Sequence, residues 1–92
     1  MIQIRDIHGN LIREIDSEDL TWFKFDGMDL HEADLRGADL SYSTFWGANL
    51  EGADLRGANL SEAYLTDEQR WSIIWDEKTR FKDDSYKHPC WM

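Results

Sequence analysis

The sequence predicts a mainly β fold in which the chain coils around its own core, and two observations support this prediction. Between residues 28 and 66 a Leu or Phe recurs at every fifth position. Two residues before each of them stands a small or apolar residue, most often Ala. Apolar positions recur about every 3.6 residues in an amphipathic helix and about every 2 in a two-sided strand, so a period of five fits neither. The backbone must turn a corner in each unit so that all units face one interior.

Four such units would complete one square turn, which places residues twenty apart above one another. Segments of successive turns would then lie about 4.8 Å apart, the spacing at which backbone groups of neighbouring strands pair. The apolar side chains sort into four columns under this rule. The predicted core columns are Phe25 with Phe45 and Leu65, Leu30 with Leu50, Leu35 with Leu55, and Leu40 with Leu60.

The repeated blocks resemble the pentapeptide-repeat family, whose consensus is a small residue, Asp or Asn, Leu or Phe, a variable residue and often Gly. The matching blocks are Ala33-Asp34-Leu35-Arg36-Gly37, Ala48-Asn49-Leu50-Glu51-Gly52, Ala53-Asp54-Leu55-Arg56-Gly57 and Ala58-Asn59-Leu60-Ser61-Glu62. A continuous run in one register, here from residue 23 to 67, is far more specific than one block. The resemblance implies a short right-handed quadrilateral β-helix of a little over two turns.

Both ends of the chain are predicted to cover the coil, because a solenoid of so few turns needs capped ends. Ile2–Arg5 and Leu11–Ile15 are apolar-rich strands joined through His8-Gly9-Asn10, which predicts an N-terminal β-hairpin cap. After the repeats, Thr66-Asp67-Glu68-Gln69 has the form of a helix capping box.

A short C-terminal helix cap is therefore expected. Trp71, Ile74 and Trp75 fall at the spacing of one helical face, which would lie over the last turn. The stretch Asp76–Met92 mixes charges with aromatic residues and has no period. It is interpreted either as a strap along the coil or as a tail that orders on a partner.

At 92 residues the chain is expected to form one domain, near the size at which a core alone is only marginally stabilising. Residues 1–15 would be the hairpin cap, residues 16–67 the repeat coil, and residues 68–92 the helix and strap. The first fifteen residues lack an uninterrupted apolar stretch, and no segment is long enough to span a membrane. A cytoplasmic location is expected, in bacteria or phage-infected cells, where the resembled family is commonest.

The net charge of −9 lies entirely on the coil, where residues 16 to 67 hold twelve acidic side chains against three basic ones. Such a surface disfavours direct binding to nucleic acid or to anionic membranes. One interpretation is that the Asp before each central Leu accepts backbone hydrogen bonds in its own turn, as Asn49 and Asn59 would. The other is that the acidic surface imitates DNA, since some pentapeptide-repeat proteins modulate DNA gyrase in that way.

Arg36 and Arg56 interrupt the acidic surface. They should stack on one side of the coil, close to Asp34 and Asp54, which weakens the interpretation as a DNA mimic.

Aromatic residues at outward positions of the blocks are the best candidates for a binding site, because exposed Trp and Tyr often anchor interfaces. Trp22 should stack beneath Tyr42, and Trp46 should lie between Asp26 and Thr66. The alternative is that the terminal segments cover these rings. The full candidate interaction surface is Trp22, Asp26, Asp29, Glu32, Asp39, Tyr42, Trp46, Glu51 and Tyr64.

No catalytic, cofactor or metal site is predicted. His8, His31 and His88 are far apart in sequence, and the glycines follow the five-residue period instead of forming a phosphate-binding loop. Cys90 beside His88 could supply two zinc ligands where a closed site needs four, so a free thiol is expected.

The predicted function is a non-catalytic protein-interaction module with an unknown protein partner. The alternatives are a DNA-mimic modulator of gyrase, as inhibitor or protector, and a purely structural or assembly domain. A homodimer through the aromatic residues is a further prediction.

Overall fold

The computed structural model describes residues 2–81. Its first elements are the strands β1 (Ile2–Arg5) and β2 (Leu11–Ile15), which pair antiparallel with a register shift between Ile4 and Arg5. Asp6 begins the connecting loop, where its carboxylate accepts the backbone N–H groups of His8 and Asn10. These bounds agree with the hairpin that the sequence predicts.

The hairpin docks on one side of the following segment. Asp6 and Ala33 form an antiparallel bridge. The N–H of Asp34 donates to the carbonyl of Arg5 at 2.7 Å, and the N–H of Ile7 to that of Glu32 at 2.8 Å. Because these bonds use backbone groups of the first turn, the hairpin covers part of an edge that would otherwise be open to other chains.

The repeat region forms isolated parallel bridges between residues twenty apart instead of long strands. Within it, the N–H of Phe25 donates to the carbonyl of Thr44 at 2.8 Å, and the N–H of Thr44 donates to the carbonyl of Phe23 at 3.1 Å. The chain therefore returns alongside itself every twenty residues. The bridges are Lys24 with Thr44, Thr44 with Tyr64, Asp29 with Asn49, Asp34 with Asp54, and Asp39 with Asn59.

The interior holds the Leu and Phe residues that define the period. The rings of Phe25 and Phe45 stack with centroids 4.9 Å apart and planes within 5°. A fully buried side chain of this size stabilises a fold by about 2 kcal/mol. All nine residues of the predicted columns are buried: Phe25, Leu30, Leu35, Leu40, Phe45, Leu50, Leu55, Leu60 and Leu65.

Each corner of the repeat region uses a residue with positive φ, five residues after the previous one. Glycine holds most of these corners, since it adopts this left-handed region without a steric penalty. Four corners are held by larger residues, namely Trp22, Glu32, Tyr42 and Glu62, with φ between 57° and 63°. A non-glycine residue in this region is uncommon, most of all an aromatic one.

The Asp or Asn before each central Leu serves its own turn. The carboxylate of Asp29 accepts the N–H of His31 at 3.1 Å, and the amide oxygen of Asn49 accepts that of Glu51 at the same distance. The same bond recurs at Asp19, Asp34, Asp39, Asp54 and Asn59. Many acidic residues of the coil therefore accept backbone hydrogen bonds in their own turns, as one of the two interpretations predicted.

Helix α1 (Asp67–Ser72) follows the last repeat and begins with the predicted capping box. Thr66 Oγ1 accepts the N–H of Gln69 at 3.2 Å, and Gln69 Oε1 accepts the N–H of Thr66 at 2.9 Å. Gln69 and Arg70 are the buried residues of this helix.

The prediction that Trp71, Ile74 and Trp75 form one helical face over the last turn is wrong. The helix ends before Ile73, which is extended, and the side chain of Trp71 is 72% exposed. Residues 73–75 instead resume the parallel pairing, with Ile74 bridged to Asp54. Two β-branched residues in a row favour this extended backbone, and the free backbone edge of the turn below gives it hydrogen-bond partners.

The pairing continues to the last described residues. Arg80 bridges Asn59, which shifts the spacing from twenty residues to twenty-one. Thr79 is fully buried and Phe81 packs its ring edge-on against Trp75. Residues 82–92, including His88 and Cys90, lie outside the described residues, as does most of the predicted strap. From residue 2 to 81, no helix has the length and apolar content needed to cross a bilayer.

Candidate interaction surface

Four exposed aromatic residues lie together on one side of the coil, and we call Trp22, Tyr42, Trp46 and Tyr64 the aromatic face. Tyr42 and Trp46 stand two residues before and after Thr44 in the same segment. We call the segments that stack on one side of the coil, one from each turn, its rows. The bridge between Thr44 and Tyr64 places Tyr64 in the neighbouring row. Trp22 belongs to the row on the other side, where its N–H donates to the carbonyl of Ser41 at 3.0 Å.

The four rings form two stacked pairs. Trp22 and Tyr42 lie with centroids 4.3 Å apart and planes within 6°, as the twenty-residue spacing predicts. Trp46 and Tyr64 lie 4.6 Å apart at 21°. The residues remain 70%, 45%, 55% and 47% exposed in chain order. Stacking therefore fixes the rings relative to each other but leaves much of their surface in contact with water.

The backbone holds two of these rings at a conformational cost. Trp22 and Tyr42 have φ of 62° and 63°, where a non-glycine residue costs about 1–2 kcal/mol. Trp46 is held differently, because its N–H donates to the carboxylate of Asp26 at 2.9 Å. Since strained residues persist only where the surroundings over-determine them, the packing around these two corners must hold the backbone in this conformation.

Charged groups border the aromatic face. Asp26 is exposed and lies one row away from Trp46. The N–H of Tyr42 donates to the carbonyl of Ser61 in the next row at 3.0 Å. Glu62 follows Ser61 and is the corner residue of that row. The exposed Lys24, which bridges Thr44, places a positive charge on this side.

The remaining acidic candidates lie on other sides of the coil and do not join the aromatic face. Asp29 and Asp39 bind backbone groups of their own turns, as described above. Glu32 Oε1 lies 3.8 Å from both His8 Nε2 and His31 Nε2. Glu51 borders an open groove of about 470 Å³ between the coil and α1, with Glu68 on its other wall. The structure therefore divides the predicted surface into one aromatic patch and several separate carboxylates.

A third side carries the two arginines beside the two buried or half-buried aspartates. Arg56 Nη2 lies 2.7 Å from Asp54 Oδ2, and Arg36 Nε lies 2.9 Å from Asp34 Oδ1 and 3.8 Å from Asp54 Oδ2. The hydrogen bond from Arg56 holds the pKa of Asp54 below its usual value, although burial opposes this effect. Arg36 lowers the pKa of Asp34 in the same way. The acidic charge is thus compensated on this side.

Within residues 2–81, no group of three or more His, Cys, Asp or Glu side chains is arranged to hold a metal ion. His8, His31 and Glu32 approach one another only as the two long contacts described above. The described surface thus presents aromatic rings and carboxylates as its distinctive chemical groups.

Sequence reasoning missed two important side chains, Gln69 and Arg70. Gln69 Nε2 donates to the carbonyls of Phe45 and Ala48 at 2.6 and 3.0 Å, and Arg70 Nη1 donates to that of Leu65 at 3.0 Å. The capping box pointed to Gln69 but only for its role in the helix. The stack of Trp46 on Tyr64 was also missed, because the two residues are not twenty apart.

A model of pentapeptide repeats matches the chain in eight copies, over residues 19–45 and 33–67. A comparison with curated protein sequences gave no match. The matched residues cover more than half of the chain and coincide with the segments that bridge one another at twenty-residue spacing. This protein is therefore a member of the pentapeptide-repeat family.

Proposed function

We propose that the protein is a non-catalytic protein-interaction module built on a short right-handed quadrilateral β-helix. Three observations support this architecture. Residues twenty apart form parallel bridges, a left-handed corner recurs every five residues, and the Leu and Phe residues of the predicted columns are buried. A coil of this kind holds its surface side chains on rigid rows, which suits recognition. The described surface has aromatic rings for binding but no reactive cluster of side chains that would suggest a reaction.

The observation that carries the proposal is the aromatic face. Single exposed apolar residues are normal on a protein surface, whereas a contiguous group indicates an interaction site. Here four Trp and Tyr residues adjoin, and these residue types dominate the energetics of protein interfaces. Two of them hold a strained backbone conformation, which is more often found at functional positions.

A DNA-mimic modulator of gyrase is less well supported. The carboxylates of Asp29 and Asp39 accept hydrogen bonds within their own turns, and Arg36 and Arg56 neutralise another side. A coil of three rows is also only about 10 Å high between its outer rows, which is short for an imitation of duplex DNA. A role as a purely structural domain would leave the exposed rings without a purpose.

Affinity capture from the native cell tests the proposed function. The bait would be the full chain, compared with a double variant that carries Trp22→Ala and Trp46→Ala. Trp71→Ala is the matched control, because Trp71 is as exposed as Trp22 but lies on α1 and takes no part in the two stacked pairs. We expect the wild type and the control to retain the same protein partner and the double variant to lose it.

Equal capture by all three proteins would contradict a role for the aromatic face. A supercoiling assay with purified gyrase tests the alternative directly. We expect no change in gyrase activity or drug sensitivity at micromolar protein, and inhibition or protection would favour the DNA mimic.

A further inference from the structure

We infer that the aromatic face binds a basic segment of a partner protein through two arginine side chains, one at each stacked pair. The inference deepens the proposed function and rests on it.

Each stacked pair has a carboxylate beside it. Asp26 lies next to Trp46, and Glu62 lies in the corner row next to Tyr42. An arginine guanidinium is planar, so it can lie against an aromatic ring while its N–H groups donate to a neighbouring carboxylate. A lysine ammonium is a strongly hydrated point charge and cannot make both contacts as well. Rings and carboxylates together therefore select arginine.

Overall charge favours the same occupant. The protein carries a net charge of −9, all of it on the residues of the coil. A basic segment would be attracted to the protein as a whole, whereas a second copy of the chain would be repelled. Lys24 lies between the two pairs and would keep a third cation away from the middle of the aromatic face.

The small area also disfavours a second copy. The aromatic face spans three rows, which is about 10 Å at a spacing of 4.8 Å. A stable dimer buries about 800 Å² on each partner. A patch of this height is better matched by an extended peptide segment of a few residues.

The spacing of the pairs defines the segment further. Tyr42 stands at the left-handed corner where the row begins and Trp46 follows four residues later, so their positions lie at most about 13 Å apart at 3.3 Å per residue. Side chains of an extended peptide that are four residues apart point the same way and cover the same distance. The best ligand should therefore carry two arginines separated by three residues.

Fluorescence anisotropy with labelled synthetic peptides tests this inference. The main probe is a peptide of Ser with Arg at positions one and five, with blocked termini. An isomer with the two Arg adjacent has the same composition and charge, and a third peptide has Lys in place of both Arg. All measurements would be made at about 150 mM salt, so that long-range attraction to the acidic chain is screened.

We expect the spaced arginine peptide to bind about fivefold more tightly than either of the other two peptides, a ratio that corresponds to one good ring contact. The variants Trp22→Ala and Trp46→Ala should each weaken its binding at least fivefold. Trp71→Ala should bind like the wild type. Circular dichroism and thermal melting would show that each variant is folded.

Equal binding of the three peptides, or binding that survives both tryptophan variants, would overturn the inference, because both results indicate attraction to the acidic chain alone. No binding of any peptide would also overturn it. If the double variant still loses its partner in the capture experiment, the proposed function stands although this inference fails. If capture is unaffected as well, both fail.

Discussion

The side-chain amide of Gln69 donates a hydrogen bond to the backbone carbonyl of Ala48, at 3.0 Å. One turn below, the backbone N–H of Asn49 makes the equivalent bond to the carbonyl of Met28, also at 3.0 Å. Gln69 lies at the position whose own N–H would serve Ala48 if the row continued as a strand. In the helix cap, the N–H of Gln69 donates to Thr66 Oγ1 instead, so the side-chain amide of Gln69 serves the carbonyl of Ala48. The Gln69 side chain therefore pairs carbonyls of Phe45 and Ala48 at the end of the coil, where no further row of strand follows on this side.

Gln69→Glu should destabilise the protein strongly. Glutamate keeps the acceptor of the capping box, so the helix cap is retained. It replaces the buried donor with a carboxylate that faces the carbonyls of Phe45 and Ala48. We expect the free energy of unfolding to fall by about 3 kcal/mol, measured by urea denaturation. Glu68→Gln, on the exposed neighbour, should change it by less than about 0.5 kcal/mol. Equal stability of the two variants would argue against this role of Gln69.

Thr44→Val should stabilise the protein. The hydroxyl of Thr44 is buried and has no hydrogen-bond partner among the described residues, so its removal relieves an unpaired polar group. We expect a gain of about 1 kcal/mol in the free energy of unfolding. The same substitution at Thr79 should cost about 2 kcal/mol, because Thr79 Oγ1 donates to the carbonyl of Leu55 at 2.8 Å and accepts the N–H of Asp76 at 3.1 Å. Changes of the same sign at both sites would contradict this prediction.

Glu62→Gly should raise the melting temperature. Glu62 has a φ of 60°, which costs a non-glycine residue about 1–2 kcal/mol, whereas the extra freedom of glycine in the unfolded chain costs about 0.5–1 kcal/mol. We expect a net gain of up to about 1 kcal/mol, or a rise of about 4–8 °C in Tm. Glu51→Gly is the control, since Glu51 is exposed and lies outside the left-handed corners. Scanning calorimetry should show that it melts at a lower temperature than the wild type.

Acid should destabilise the protein, in part through Asp54. The pKa of this carboxyl is lower in the folded protein than its ordinary value of 3.8, chiefly because of the hydrogen bond from Arg56. A group of this kind contributes stability above its unfolded pKa, and the contribution is lost as pH falls through the folded pKa. At neutral pH we expect Asp54→Asn to cost about 2 kcal/mol, and the difference from the wild type should shrink below about pH 4.

Asp39→Asn is the control for the acid prediction. Asn keeps the acceptor for the N–H of Ser41, and Asp39 has no salt bridge among the described contacts. Its effect should stay below about 0.5 kcal/mol at all pH values. A difference between Asp54→Asn and the wild type that did not depend on pH would exclude the proposed linkage.

The sequence predicts the parts of the fold that repeat. A period of five, combined with backbone pairing, determines which side chains point inward and places Trp22 on Tyr42 and Asp34 near Asp54. The turn function of Asp and Asn follows from their chemistry alone. These predictions hold because local geometry and long-range packing agree in each block.

The ends of the coil could not be predicted in the same way. The spacing of Trp71, Ile74 and Trp75 fits a helix, but the free backbone edge at Ala53 and Leu55 pairs with Ile74 and ends the helix early. The shift from twenty to twenty-one residues arises after α1, between Ile74 and Arg80, in the turn where the N–H of Thr79 donates to the carbonyl of Asp76. The stack of Trp46 on Tyr64 depends on side-chain directions within a row, which the period does not specify.

The twenty-residue return of the backbone has a consequence for the length of the molecule. Because α1 ends the coil on one side only, four further blocks inserted before Thr66 would carry the helix up one level, where it would cover the inserted row in the same way. Each insertion would add about 4.8 Å of height, and Gln69 would meet the carbonyls of the inserted row in place of those of Phe45 and Ala48. The protein could therefore be lengthened by duplicating four blocks, while the sequences of both caps stay the same.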